Sequence, residues 1–301
     1  MIEIPFKRDF KCEYGVLEEV APNLRRVVAT NRSPFTMSGT GTYIIGRGKV
    51  CVIDPGPLLP DHVNALIEGL KGEEVTHILI THTHGDHSPA AQPLKEATGA
   101  PTFGYGPHGS GKYEQGVTVE AGGDRDFVPD VTVCDGDVIE GEGFSFECVY
   151  TPGHTSNHMC YAWREPKALF TGDHVMGWST TVVSPPDGDM AEYMASLRKL
   201  LDRDDALYYP THAGAITDPK PFVRALLTHR EEREAQVLDC LKRGKHLIAE
   251  MVDEMYVGLN PNLVQPARRS VFAHIVDLAD RGKVKTETGA KLALDVPYQL
   301  V

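Results

Sequence analysis

The sequence lacks a hydrophobic run long enough to cross a bilayer, and its first residues, MIEIPFKRDF, lack the apolar core of a secretion signal. It also lacks a Cys-x-x-Cys pair, because its six cysteines are scattered at Cys12, Cys51, Cys134, Cys148, Cys160 and Cys240. This pattern predicts reduced, buried thiols rather than a disulfide framework. Together these absences indicate a cytoplasmic protein without a membrane segment.

Positive charge is scarce as well. The chain has 30 Lys and Arg against 42 Asp and Glu, which gives a formal net charge of −12. An acidic body repels polyanions, so the charge counts against a nucleic-acid substrate, although bound metal ions would offset part of it locally. A length of 301 residues with 41% hydrophobic residues allows one large core, or one core with a small appended domain.

Short apolar runs bounded by glycine or proline alternate with helical segments up to about residue 218, and they predict an α/β domain. The strand candidates are TYIIG, KVCVID, THILIT, PTFGY, FSFECVY, MCYAW, KALFTGD and ALYYP. Helices are predicted over 60–71 and 189–201, each with an apolar face. The stretch 104–130, rich in glycine and charge, predicts a surface loop over the rim of the site.

The rest of the chain predicts a winged-helix module of three helices and a hairpin. Asp218 and Pro219 have the residue types preferred at a helix N-cap and first turn. The helices are predicted from there to about Gly244, over 246–257 and over 266–281, with a hairpin around Thr288-Gly289. We therefore divide the chain into a catalytic domain, 1–218, and a C-terminal domain, 219–301.

The densest group of metal-compatible side chains is THTHGDHS, directly after the apolar run HILI. His82 and His84 are two residues apart at a strand end, so both side chains can point the same way. Asp86 and His87 follow in a turn where the intervening glycine relieves backbone strain. Burying four such side chains without a cation would be costly. Imidazole and carboxylate ligands suit zinc, iron or manganese.

More ligands must come from elsewhere, because one short segment cannot complete two coordination shells. TPGHT offers His154, FTGDH offers Asp173 and PTHA offers His212, each directly after a predicted strand. Carboxyl ends of strands are where ligands collect in α/β folds. The sequence therefore predicts that five histidines and two carboxylates converge on metal.

Three further residues lie next to these segments. Asp54 in VCVIDPGP is either a turn-former or a hydrogen-bond partner of a ligand histidine or of the active-site loop. His158 and His174 are candidates for contact with substrate or solvent, with packing as an equal alternative. The remaining histidines are assigned to the surface or to packing: His62, His77, His108, His229, His246 and His274.

HTHGDH, TPGHT, TGD and the late single histidine together resemble the metallo-β-lactamase superfamily. The resemblance implies an αββα sandwich with two metals along one edge between the sheets. It also implies a first site of His82, His84 and His154, a second site of Asp86, His87 and His212, and Asp173 as the bridge. A bridging aspartate resembles the glyoxalase II, lactonase and tRNA-processing nuclease branches, so β-lactam hydrolysis is disfavoured as the main activity.

A closer resemblance, to the β-lactamase-like protein 2 group, covers most of the chain. It rests on GWSTTVVSP after GDHVM, on THREERE and on the winged-helix tail. Members of that group are described as metallo-hydrolases, and one branch as cleaving single-stranded RNA. This chain departs from the group's PGHG pattern at Thr211-His212-Ala213, which restricts the turn but leaves the histidine available.

We therefore predict a dinuclear zinc hydrolase in which a hydroxide shared by two metals attacks an ester, thioester or lactone, with Asp86 as a catalytic ligand that orients the nucleophile. Weak β-lactamase side activity, a small-molecule substrate and a homodimer are compatible with this prediction. One alternative is a single-strand-specific endoribonuclease acting at the same site. Another is a ligand-sensing DNA-binding regulator that uses Arg268 and Arg269. A mononuclear iron dioxygenase is the third, and His87 and His212 argue against it.

Overall fold

Two β-sheets face each other at the centre of the computed structural model, which describes residues 2–110 and 122–301. Within these residues the first sheet has seven strands in sequence order: β1 Glu18–Ala21, β2 Leu24–Val28, β3 Gly41–Arg47, β4 Lys49–Ile53, β5 Glu74–Leu79, β6 Thr102–Gly104 and β7 Val131–Thr132. The second has five, in the spatial order β12-β11-β10-β9-β8: β8 Val138–Gly141, β9 Phe144–Tyr150, β10 Met159–Trp163, β11 Ala168–Gly172 and β12 Leu207–Pro210.

The directions of the strands place the loops that follow several of them at one edge of the sandwich. In the first sheet, β4 pairs in parallel with β5, and β5 with β6. In the second sheet, β10 is antiparallel to both β9 and β11, and β11 is parallel to β12. Strands β9, β11 and β12 therefore run in the same direction. The loops that follow them leave the sheet together, as the sequence predicted for the ligand-bearing segments.

Helices cover both outer faces of the sandwich. Helices α1 (Pro60–Gly69) and α2 (Ala91–Thr98) contribute Leu66 and Leu94 to a core against the first sheet. Helices α3 (Met190–Leu201) and α4 (Pro219–Lys242) form a second core against the other sheet. A third core lies between the sheets and includes Tyr43, Phe146 and Phe170. The predicted αββα fold is confirmed.

The C-terminal residues form a winged-helix module with its own core. It contains α5 (Ile248–Met255), a short 3₁₀ turn (Pro261–Leu263), α6 (Val264–Asp280) and the antiparallel strands β13 (Val284–Thr286) and β14 (Tyr298–Leu300). Its core includes Ile248, Val271 and Tyr298. The predicted hairpin is present, and its two strands are separated by residues 287–297, which include Thr288-Gly289.

Helix α4 belongs to both parts of the molecule. Its Phe222 and Leu226 pack against the sandwich, whereas its Val237 and Leu241 pack into the winged-helix core. Asp218 occupies the N-cap position as predicted, but its side chain makes no capping hydrogen bond. The division at 218/219 stays a prediction, because this continuous helix connects the two cores.

Three further expectations can be compared with the described residues. All six cysteines are free thiols, as predicted, but Cys134 is exposed and Cys12 is only half-buried. Among the described residues, no helix is both long enough and apolar enough to span a bilayer. Of the predicted loop 104–130, residues 111–121 lie outside the described residues, and Gly122 lines the cavity described below.

Candidate metal centre

Three imidazole nitrogens of the first predicted site converge. His84 Nδ1 lies 3.0 Å from His82 Nε2 and 3.0 Å from His154 Nε2. A ring nitrogen has one in-plane lone pair, so it accepts at most one of these contacts as an ordinary hydrogen bond. Three nitrogens directed at a common point are instead the ligand arrangement of a tetrahedral metal ion. This trio could hold a metal ion, as the sequence predicts.

A second trio, Asp86, His87 and His212, could also hold a metal ion. His212 Nε2 lies 3.3 Å from Asp86 Oδ2, and His87 Nε2 lies 3.6 Å from the same oxygen. Asp173 lies between the two trios. Its Oδ1 is 3.3 Å from His212 Nε2, and its Oδ2 is 3.8 Å from His154 Nε2. The two oxygens thus face different groups, which is the geometry expected of a bridging carboxylate.

Hydrogen bonds on the far side of three histidines fix the tautomer of each ring. His154 Nδ1 lies 2.6 Å from the Val182 carbonyl oxygen, and His212 Nδ1 lies 3.1 Å from the Gly39 carbonyl oxygen. His87 Nδ1 lies 2.9 Å from Asp54 Oδ2. Carbonyl and carboxylate oxygens only accept, so each Nδ1 donates its proton. In the neutral ring Nε2 then has the lone pair, and in all three rings Nε2 faces the cluster.

The two carboxylates of the cluster favour a positive charge beside them. Burial lowers the pKa of His212, but Asp173 and Asp86 outweigh this and raise it to about 10. Burial and the neighbouring imidazoles lower the pKa of His82 well below its ordinary value, which keeps that ring neutral. Divalent cations would supply that charge while leaving all the histidines neutral, as metal ligation needs.

Two buried atoms support the fit of these residues to metal. His87 Nε2 and Asp173 Oδ1 have no hydrogen-bond partner among the described residues, and 3.7 Å separates them. Buried polar atoms are nearly always satisfied, so an unsatisfied pair calls for a specific explanation. A cation between them would satisfy both. The residues present therefore fit a pair of divalent metal ions.

Asp54 connects the loops behind the cluster. Its side chain is fully buried, and its Oδ2 accepts from His87 Nδ1, from Thr81 Oγ1 at 2.7 Å and from Thr211 Oγ1 at 3.0 Å. Its Oδ1 accepts from the Thr81 backbone N–H at 2.8 Å. Of the two roles that the sequence left open, the structure shows the hydrogen bond to His87, one of the candidate ligands. The same carboxylate also fixes the loops that contain His82 and His212.

Two glycines shape the ligand loops. Gly153 has a φ of +130°, and a Cβ there would lie 2.3 Å from the Tyr193 backbone, so only glycine fits before His154. Gly85 has no positive φ, so the predicted relief of backbone strain is wrong. Its N–H donates to the Gly122 carbonyl at 2.7 Å, and a Cβ would lie 3.2 Å from that oxygen, so a side chain here would need a small shift of the Gly122 backbone.

Sequence reasoning missed several residues that hold the ligands. Thr40 Oγ1 donates to Asp86 Oδ2 at 3.0 Å, and the carbonyls of Gly39 and Val182 orient two histidines. Backbone carbonyls leave no signal in residue type. At the departure from PGHG, Ala213 has a φ of +70°, a conformation that favours glycine, and His212 still reaches the cluster.

The other histidines near the cluster have packing roles. His158 and His174 are fully buried, which favours packing, one of the two equal alternatives that the sequence left open. The His158 ring stacks on His82 with centroids 5.1 Å apart, and the His174 ring lies 4.9 Å from Tyr193. His108, which we had assigned to the surface or to packing, lies beside the cluster, with its ring 6.2 Å from that of His84.

A cavity of about 370 Å³ opens over the cluster. Metal-ligand candidates form its floor, and Phe35, Met176 and Val182 contribute apolar wall. The opposite wall comes from the start of α6, with Gln265, Pro266 and Arg269. The C-terminal module therefore forms one wall of the cavity.

Comparison with known proteins places this arrangement in a family. Residues 37–212 match the family model described as metallo-beta-lactamase superfamily, and residues 248–291 match the beta-lactamase associated winged helix domain. The chain is 30% identical over 316 aligned residues to the lactamase-like protein adaB of Aspergillus niger, and this match covers 94% of the chain and 92% of that protein. The chain therefore belongs to the metallo-β-lactamase superfamily, as its motifs predicted.

Two further comparisons add to this assignment. The chain is 31% identical over 232 residues to the atrochrysone carboxyl ACP thioesterase dmxR1 of Cryptosporiopsis sp., covering 76% of the chain and 66% of that protein. A beta-lactamase domain protein from Burkholderia ambifaria has the same fold, with a TM-score of 0.78 at 19% identity over 99% of this chain and 97% of that one. By its superfamily and its relatives, the chain is a hydrolase, and its His/Asp cluster indicates divalent metal binding.

Proposed function

We propose that this chain is a dinuclear metallo-hydrolase that cleaves thioester or ester bonds in a small-molecule substrate, with lactones as related candidates. The observation that supports it most directly is the position of Asp173, whose two oxygens face two different groups of ligand candidates. A thioester is the first choice because a relative 31% identical to the chain is named as a thioesterase. The bridging aspartate keeps β-lactam hydrolysis as at most a side activity.

In this proposal His82, His84 and His154 bind one metal, Asp86, His87 and His212 bind the other, and Asp173 bridges them. We propose zinc, with iron or manganese as alternatives. When bound, the pair would polarise the scissile carbonyl and supply hydroxide from water at neutral pH.

The chain's own residues position the reaction. Asp86 has 26% of its side chain exposed and lines the cavity, while Thr40 holds its Oδ2. We propose that Asp86 orients the attacking water as well as ligating metal. Phe35, Met176 and Val182 exclude water from the acyl group above the cluster, which strengthens the electrostatic interactions there.

A substrate panel tests the proposal. Zinc-loaded protein is assayed with an N-acetylcysteamine thioester, an aryl ester, a lactone and labelled single-stranded RNA. We expect thioester hydrolysis that disappears in a His84→Ala variant. His246→Ala is the matched control, because this histidine lies in the winged-helix module with 41% of its side chain exposed. RNA cleavage that depends on His84, without hydrolysis of the other substrates, would replace this proposal with the ribonuclease alternative.

The DNA-binding alternative relied on Arg268 and Arg269, and both have other contacts. Arg268 pairs with Asp295, and Arg269 lines the cavity. Metal identity, the cytoplasmic location, the homodimer and the domain division at 218/219 stay predictions.

A further inference from the structure

The cavity over the metal centre has one strongly basic wall residue. Among the described residues that line it, Arg269 is the only lysine or arginine. The walls otherwise include Phe35, Met176, Val182 and Pro266, which present aromatic and aliphatic surface. Ligand pockets are typically apolar with a few placed polar groups that set orientation and specificity. Arg269 has the position of such a group.

The guanidinium is directed by its neighbours toward the cavity. Arg269 Nη1 donates to Ser184 Oγ at 3.3 Å, and Ser184 is buried and also lines the cavity. The serine is itself fixed, because its carbonyl accepts from the Gly188 N–H at 2.8 Å. This contact holds Nη1 beside a buried residue of the cavity lining.

Adjacent residues on α6 have different surroundings. Arg268 pairs with Asp295, whose side chain is 83% exposed, and does not line the cavity. Arg269 and Arg268 thus have the same charge and neighbouring positions, but only one of them faces the site. Planar guanidinium groups bind carboxylate and phosphate oxygens through two parallel N–H donors.

We propose that Arg269 is a specificity-determining residue that binds an anionic oxygen group of the substrate, while the apolar wall contacts the body of the acyl group. The inference rests on the proposed function, since it takes the scissile bond to lie at the metal centre. The anionic group has two sources: a carboxylate on the acyl portion, or a phosphate on the leaving thiol. Both use the same chemistry at Arg269.

Matched substrates test the proposal and distinguish the sources. The N-acetylcysteamine thioesters of 5-phenylpentanoate, with and without a para-carboxylate on the ring, differ only in acyl charge. The coenzyme A thioester of the uncharged acid adds phosphate on the thiol side. The zinc-loaded wild type is compared with Arg269→Gln, Arg269→Lys and the control Arg268→Gln.

We expect Arg269→Gln to lower kcat/KM about 10- to 100-fold on whichever substrate has the recognised anion, mainly through KM, as lost charge-assisted hydrogen bonds predict. The N-acetylcysteamine thioester without a carboxylate should change little, and Arg269→Lys should recover part of the loss. Equal losses on charged and uncharged substrates, or the same selective loss in Arg268→Gln, would overturn the proposal.

A binding measurement keeps this test separate from the proposed function. Calorimetry compares 5-phenylpentanamide, which is uncharged, with its para-carboxylated form, and free pantetheine with its 4′-phosphate, on the same zinc-loaded variants. If the wild type hydrolyses nothing, the proposed function fails, yet a selective loss of affinity for either charged ligand in Arg269→Gln still supports the site. If that substitution leaves both charged ligands bound as tightly as before, the inference fails whatever the activity.

Discussion

Replacing Asp54 with asparagine would change one atom of a carboxylate that contacts no metal, yet it should weaken the second metal site. Asp54 Oδ2 accepts a hydrogen bond from His87 Nδ1 at 2.9 Å, and Oδ1 accepts from the Thr81 backbone N–H at 2.8 Å. Asparagine has an oxygen for only one of these donors. The hydroxyls of Thr81 and Thr211 can rotate to accept, but the ring N–H and the backbone N–H cannot both be satisfied.

Either orientation of the amide is unfavourable. With its NH₂ toward His87, the ring must move its proton to Nε2 to accept at Nδ1, and the lone pair that faces the cluster is lost. With its NH₂ toward Thr81, the amide N–H faces the Thr81 backbone N–H. Two buried donors then lack an acceptor, which costs about 1–3 kcal/mol in the free energy of unfolding. Loss of an outer partner of a ligand histidine typically lowers metal affinity about 10- to 100-fold.

The assay is a zinc titration of the Asp54→Asn variant against a competing chelator, together with kcat on the best thioester. Asp204→Asn is the matched control, because Asp204 forms an exposed ion pair with Lys167. We expect one of the two zinc ions to bind about 10- to 100-fold more weakly in Asp54→Asn and not in the control. Two zinc ions bound with wild-type affinity would refute the tautomer argument.

Three further predictions follow from the same geometry. The Asp173→Ala variant should bind at least one metal ion fewer per chain, and its kcat should fall at least about 100-fold. Elemental analysis that finds two retained metal ions would contradict the bridging role. Removing the metal with a chelator should lower the midpoint of thermal unfolding, because a ligand present at 1,000 times its Kd stabilises the folded state by about 4 kcal/mol. Calorimetry with and without added zinc measures this midpoint. An unchanged midpoint would count against a metal centre. Arg230→Met removes the donor to the Thr181 carbonyl and should cost about 1–3 kcal/mol in the free energy of unfolding. The exposed Arg224→Met on the same helix is its control in denaturant titration, and equal losses in both variants would refute that contact.

Most of the strands that the sequence predicts contain at least three consecutive apolar residues. Strand β2 was missed although all five of its residues are buried, because LRRVV places two arginines in the middle. Arg25 is buried against Glu73, and Arg26 pairs with Glu18 on the neighbouring strand. A buried arginine is compatible with a strand only when such a partner is present. The partner Glu73 is 48 residues away, so no local pattern reveals it.

At the site, residue type predicted the candidate ligands but not what orients them. A histidine after an apolar strand is visible in sequence, and so is Asp54 as a turn-former or as a hydrogen-bond partner of such a histidine. By contrast, Gly39 and Val182 act through carbonyl oxygens that every residue has. The position of Arg269 in the cavity depends on how α6 docks against the sandwich, which helical periodicity alone does not determine.

The winged-helix module is connected to the metal centre through the loop after β11 as well as through the cavity wall. Buried Arg230 of α4 donates to the Thr181 carbonyl, and its guanidinium lies 5.2 Å from the centre of the Tyr193 ring. Thr181 Oγ1 donates to the carbonyl of Asp173 at 2.7 Å, and the next residue, Val182, accepts from His154 Nδ1. One arginine thus holds a loop that fixes the backbone of one ligand candidate and the tautomer of another. Since α4 also packs into the winged-helix core, one helix contacts both that module and the loop that holds two of the candidate ligands.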